Sequence, residues 1–172
     1  PVLGGNFDLS AYNRREDFRR TIPATAILER QGLRIGLIGV TTSDNSFKTF
    51  LEPVKATDPT LEVIKQAAVL RPQVDVLLVI SHNDFPTNLI IAQAVPGINA
   101  VISGHSHLKT GRAVLVQGLT GQVPVVEAGE WGQFLGEFTL NFNRVTHQVT
   151  YGGSQLHAVS PDLEEDPQIA LD

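Results

Sequence analysis

The sequence has no cysteine and no methionine among its 172 residues. Without cysteine there are no disulfides, no thiolate zinc sites and no cysteine nucleophile, so any metal must sit on His, Asp, Glu or Asn. No lysine or arginine run exceeds the pairs Arg14-Arg15 and Arg19-Arg20, and 13 basic against 18 acidic side chains leave a net charge of −5. A nucleic-acid partner is therefore not expected. No apolar stretch approaches the roughly 18 residues a spanning helix needs. No charged start followed by an apolar run opens the chain, and internal repeats and low-complexity segments are absent. Gly36-Leu37-Ile38-Gly39 lies inside a predicted strand, and no G-x-G-x-x-G opens a helix, which removes a dinucleotide-binding reading.

What remains suits one domain with a real core. The chain opens at Pro1 in what reads as the middle of a strand, Pro1 to Asn6, and an excised or processed piece is expected. Residues 7–22 are polar and arginine-rich. Residues 24–30 and 33–40 read as strands joined by a hairpin turn at Gln31-Gly32. Asp58-Pro59 starts a helix in which Leu61, Ile64, Ala68 and Leu70 fall near helical spacing, until Pro72 ends it. A strand over 74–81, a helix over 88–95 stopped by Pro96-Gly97, and a strand over 100–103 follow. This strand-helix-strand-helix-strand order predicts a parallel sheet with right-handed crossovers. From about residue 111, short alternating runs at 113–116, 123–126, 134–142 and 148–151 read as an antiparallel meander. The acidic, proline-bearing tail from Ser160 to Pro167 suits a linker or a helix.

Chemistry concentrates at strand ends. Gly104-His105-Ser106-His107 follows the strand 100–103, and His82 ends the strand before it, so parallel neighbours bring three imidazoles to the carboxyl edge where open α/β sheets build sites. Three converging neutral imidazoles suit a transition metal. The competing readings are a surface turn for the G-H-x-H and a structural histidine for His82. Gly104 permits the turn that two imidazoles at i and i+2 need to serve one site. Asp84 either orients a ligand or is a solvated loop residue, and Asp75 lies at the far end of its strand. His147 and His157 read as ordinary surface histidines.

Four blocks together resemble the 5′-nucleotidase branch of the calcineurin-like metallophosphoesterases, over about residues 1–158. They are Asn6 after an apolar run, Gly32 to Thr42 with the strand ending in Ser81-His82, Val95 to His107, and Val126 to Gly136. The resemblance implies an α/β fold, the carboxyl-terminal half of a mixed β-sandwich flanked by helices, with residues 159–172 leading as an acidic linker or helix toward an absent nucleotide-binding domain. It implies a hydrolase with two divalent ions of the Zn, Mn, Fe or Co class, acting on phosphate esters of nucleotides in a periplasmic or extracellular setting. Of the family's ligand motifs only two map here, so by resemblance His82 and His105 would bind one ion and His107 the other. Gly104, Asn83 and Asp84 would line or support that loop, and Asn83 departs from the family's glycine-rich pattern. The bridging aspartate, the asparagine ligand and the proton-donating histidine would all precede Pro1, so the chain alone is expected to be inactive. Gly5-Asn6-Phe7-Asp8 resembles the family's Gly-Asn-His motif superficially, but Phe7 cannot ligate a metal. Gly129, Gly132 and Gly136 are expected to be structural, and Trp131 either packs under the metal loops or lies exposed. Two alternatives stand beside this reading: a non-catalytic α/β interaction module, and a hydrolase of the same fold acting on a different ester.

Overall fold

The computed structural model describes residues 2–44, 53–164 and 166–168. Pro1 and Glu165, parts of the expected first strand and acidic tail, lie outside them, as do residues 169–172.

The hairpin strands form as the alternation predicts: β2 (Thr25–Arg30) and β3 (Leu33–Thr41) pair antiparallel. The turn between them has φ of 50° at Gln31 and 74° at Gly32, which is the left-handed pair a tight two-residue hairpin requires. Asp58 caps α2 (Pro59–Leu70), its Oδ1 accepting from Leu61 N at 3.0 Å, and a 3-10 turn over Arg71–Gln73 carries the chain into β5 (Val76–His82). Helix α3 (Phe85–Ala94) leads to β6 (Ala100–Ser103). Strands β3, β5 and β6 are parallel neighbours, as the strand-helix alternation predicts.

The runs after residue 111 make two hairpins. In the first, β7 (Val114–Gly118) and β8 (Gly121–Glu127) pair antiparallel, and β8 also adds parallel to β6. The main sheet therefore runs β2-β3-β5-β6-β8-β7, with four parallel strands inside two antiparallel edges. In the second, β9 (Phe134–Phe142) and β10 (Val149–Ala158) form a separate two-stranded sheet. A hollow of about 150 Å³ between β6 and β8 on one side and β9 and β10 on the other marks where this ribbon lies over the main sheet.

Alternate residues of the parallel strands divide the sheet into two faces. Ile38, Leu77, Val79, Val101 and Val125 pack with Val63, Ala67, Leu70, Ile91 and Ala92 of the helices into one buried core. The helix contributes a different face from the one its apolar pattern suggests. Val63, Ala67 and Leu70 are buried, whereas Leu61 and Ile64 reach solvent and Ala68 is exposed.

The expected opening strand does not form. Residues 2–6 instead run across β3 as an irregular strap, with Gly4 N bonded to Pro23 O and Gly5 N to Gly39 O. Gly39 admits it: a Cβ there would stand 2.1 Å from Leu3 Cβ. Asn6 pins the strap from a buried position, donating Nδ2 to Thr41 O and Thr57 O at 2.7 and 2.8 Å and accepting from Thr41 N at 2.9 Å. The strand that follows is only the two-residue β1 (Phe7–Asp8), paired with β4 (Lys55–Ala56). The polar stretch after it contains helix α1 (Arg15–Thr21), held through Phe18 against Phe7 and Tyr12 and through Arg19 on the carbonyls of Gly4 and Phe7.

Candidate functional site

The parallel register sets Thr41 beside His82, Ser81 beside Ser103, and Ser103 beside Glu127, so β3, β5, β6 and β8 all end at one edge. His82 is the last residue of β5, and its carbonyl accepts from Thr42 N at 2.9 Å. The chain leaving β6 returns toward β5 through Gly104 N to Ser81 O at 3.0 Å, which carries His105 over His82. Their rings meet edge to face with centroids 5.0 Å apart. Desolvation, then the neighbouring His105 and more weakly His107, hold the His82 imidazole below the usual histidine range, while Glu127 opposes them. The three predicted histidines therefore share one electrostatic environment.

The turn is made differently from the expectation. Gly104 does not adopt a left-handed conformation; His105 and His107 do, with φ of 85° and 59°. Gly104 stands beside His82: a Cβ on it would lie 3.4 Å from His82 Nδ1, an ordinary van der Waals contact. Between the two histidines, Ser106 Oγ is buried with no hydrogen-bond partner among the described residues.

Two acidic residues hold this loop, and neither stands out in the sequence as a site residue. Glu127 is 2% exposed; its Oε2 accepts from Ser103 Oγ at 2.8 Å and its Oε1 from Leu108 N at 3.1 Å, so one carboxyl group grips the loop just before Gly104 and just after His107. Glu130 Oε2 lies 2.6 Å from His107 Nδ1. Gly129 N donates to Leu108 O at 2.8 Å, tying the loop carrying Glu130 to the loop carrying His107. The signal that could have found both is their place in sequence, within three residues of the end of an apolar strand that joins the same sheet edge.

The other expected residues have structural partners. Asp84 caps α3, Oδ1 accepting from Thr87 N at 2.7 Å and Oδ2 from Thr87 Oγ1 at 3.0 Å. Asn83 is buried, donating to Ser81 Oγ at 2.8 Å and accepting at its carbonyl from Asn88 Nδ2 at 2.9 Å. Asp75 accepts from Arg34 N at the opposite edge. His157 pairs with Glu137 at 2.7 Å and His147 sits in the turn before β10; both are exposed. Trp131 is 84% exposed, its ring 6.3 Å from that of His107. Asn6 has both ends of its amide bound to backbone, so Gly5-Asn6-Phe7-Asp8 is a structural latch here.

Two imidazoles on one ion, each at a metal–nitrogen distance of about 2.0–2.1 Å, put their ring centroids about 5 Å apart. The His82–His105 spacing of 5.0 Å fits that arrangement. Among the described residues no group of three or more His, Asp or Glu side chains is placed to hold an ion together. The donor set on this chain is thus compatible with a metal but smaller than a closed site needs.

No family model matches the chain. It is 34% identical to a probable 5′-nucleotidase of Treponema pallidum over 139 residues, 70% of this chain and 23% of that protein. It is 28% identical to an apyrase of Tabanus yao over 187 aligned positions, 98% of this chain and 33% of that protein. The chain thus spans about a third or less of the curated relatives it matches. Its fold superimposes on a 5′-nucleotidase precursor from Thermus thermophilus with a TM-score of 0.75 at 24% identity, covering 91% of this chain and 34% of that one. Sequence relatives and shared fold together make the chain a partial-length member of the 5′-nucleotidase branch of the calcineurin-like metallophosphoesterases.

Proposed function

We propose that this chain is the carboxyl-terminal half of the catalytic domain of a binuclear-metal phosphoesterase that hydrolyses phosphate esters of nucleotides, and that alone it is inactive. The observation that carries the reading is the facing pair His82 and His105, at a spacing suited to one ion and at adjacent parallel strand ends. His82 and His105 would hold one ion and His107 the other. Ions held there would supply Lewis acidity for phosphoryl transfer to water. The chain's own part is to present imidazoles at the sheet edge, and desolvation, which lowers the His82 pKa, favours the unprotonated form of that ring.

The sheet supports the proposal that a further half precedes residue 1. Parallel strands are ordinarily covered on both faces. Here Val2, Leu3, Leu37, Ile80 and Ile102 line an open apolar hollow of about 630 Å³, and Ile80, on a central strand, is 38% exposed. A further domain after residue 158 belongs to the same family reading; in the tail, Val159 N bonds to Gln133 O and Leu163 N to Ser160 O. No helix among the described residues is long and apolar enough to cross a membrane. A periplasmic or extracellular setting follows from the family reading.

The test is metal content after dialysis, then titration with Mn²⁺ and Zn²⁺, on the wild-type chain and on His105→Ala. Binding lost in the variant supports the reading, and joining the amino-terminal half should then give phosphatase activity. Equal binding by both proteins argues against the site. No binding by either, with no activity on rejoining, favours the non-catalytic interaction module.

A further inference from the structure

We propose that Glu130 is a positioning residue that fixes the tautomer of His107, holding the proton on Nδ1 and leaving the lone pair of Nε2 for an ion. The carboxyl oxygen lies 2.6 Å from Nδ1, a contact that is attractive with the proton between the two atoms. A neutral imidazole carries one N–H, so a donor at Nδ1 makes Nε2 the acceptor. Free neutral histidine prefers the opposite form, with the proton on Nε2. Glu130 therefore has a chemical consequence that mere packing lacks.

The backbone shows that the pair is built rather than accidental. Glu130 lies between Gly129 and Trp131, with φ of 78° and 58°, and Gly132 follows at 66°. Left-handed backbone at a bulky residue such as Trp131 costs about 1–2 kcal/mol and persists only where surrounding contacts impose it. Here they do: Gly129 N is bonded to Leu108 O and Gln133 N to Glu130 O. His107 itself is left-handed at 59°, so both partners stand on or beside left-handed turns. A carboxyl group behind a ligating imidazole orients the ring and raises its basicity. The part of the inference that concerns an ion rests on the phosphoesterase reading; the tautomer does not.

The experiment is a two-bond ¹H–¹⁵N spectrum of the histidine-labelled chain, recorded at about pH 8.5, well above the ordinary histidine value. A His107→Gln variant identifies the His107 signals. In the wild type His107 is expected in the Nδ1–H form. Glu130→Gln, whose amide oxygen can still accept, should keep that form, and Glu130→Ala should return His107 to the Nε2–H form. Zinc added to the same samples should perturb Nε2 of His107, with affinity falling about 10–100-fold in Glu130→Ala and largely restored in Glu130→Gln. A wild-type His107 in the Nε2–H form, or a tautomer that Glu130→Ala leaves unchanged, overturns the proposal. The expected tautomers with no zinc effect on any histidine support the positioning role and count against the metal reading.

Discussion

Replacing Glu127 with alanine should open the histidine loop before it unfolds the protein. Two residues of that loop, His105 and His107, are held at positive φ. At about 1–2 kcal/mol each, the loop stores roughly 2–4 kcal/mol of backbone strain. Several anchors oppose it, among them Gly104 N on Ser81 O, Gly129 N on Leu108 O, Glu130 on His107, and the two hydrogen bonds to the Glu127 carboxyl group. Alanine removes both of the latter at once. Each is worth about 0.5–1.5 kcal/mol net, with a further cost of about 1–3 kcal/mol where a buried partner is left unsatisfied. The loss is therefore about 2–6 kcal/mol, at least as large as the strain it opposes. Hydrogen exchange at Leu108 should accelerate at least about 30-fold, at 1.4 kcal/mol per factor of ten, while urea denaturation reports a global loss of only about 1–2 kcal/mol. Glu127→Gln keeps an acceptor for Leu108 N and can donate to Ser103 Oγ, so its exchange rates should stay within about tenfold of wild type. Unchanged exchange at Leu108 in Glu127→Ala would refute the clamp.

Three further substitutions test the framework around the site. Asn6→Ala strands Thr41 N–H and the carbonyls of Thr41 and Thr57; a loss of about 2–4 kcal/mol in urea, at constant m-value, is expected, and a loss below 1 kcal/mol would show the latch to be unimportant. Asp84→Ala should cost about 1 kcal/mol through loss of the α3 cap, while Asp84→Asn should stay close to wild type, because the side-chain oxygen is what accepts from Thr87 N. Gly39→Ala drives a methyl into Leu3, costing about 1–3 kcal/mol and making residues 2–6 sensitive to protease; wild-type resistance would mean that the strap does not pack on β3.

The sequence carries the parallel core plainly. Apolar runs such as Val76 to Ile80, proline and aspartate at helix starts, and Gln31-Gly32 between alternating strands are local signals, and each reports its own element. The burial face of α2 was hidden because its exposed positions, Leu61 and Ile64, are more hydrophobic than Ala67, which it buries. Only the neighbouring sheet decides which side turns inward. The opening strap misled for a related reason: Val2 and Leu3 have strand-like side chains, but Asn6 and the bare surface of Gly39 offer its backbone hydrogen bonds outside a ladder. The convergence of His82, His105 and His107 on one sheet edge was legible because consecutive strands of a βαβ unit usually lie side by side. Glu127 and Glu130 were not, because their role depends on β8 joining β6 parallel, a pairing between strands that short alternating runs do not specify.

That pairing gives the β7–β8 hairpin a part in the site although it supplies none of the proposed ligands. His82 is fixed by the strand ladder, with Thr41 beside it and Thr42 N on its carbonyl. His105 and His107 lie beyond the last residue of β6, where no ladder reaches. Their geometry depends instead on contacts that include Glu127 at the end of β8, the Leu108–Gly129 hydrogen bond and Glu130 just past it, and Gly104 N on Ser81 O. Because Ser103 faces Glu127 across the β6–β8 register, a slip of one residue would turn the carboxyl group to the other side of the sheet and release both loop ends together. The buried Val123 and Val125, which seat β8 on the helix-covered core, thus determine the placement of two histidines they do not touch. Changes to either valine should therefore disturb the loop as well as the core, and the loop should respond first, since its strain is already balanced against a few hydrogen bonds.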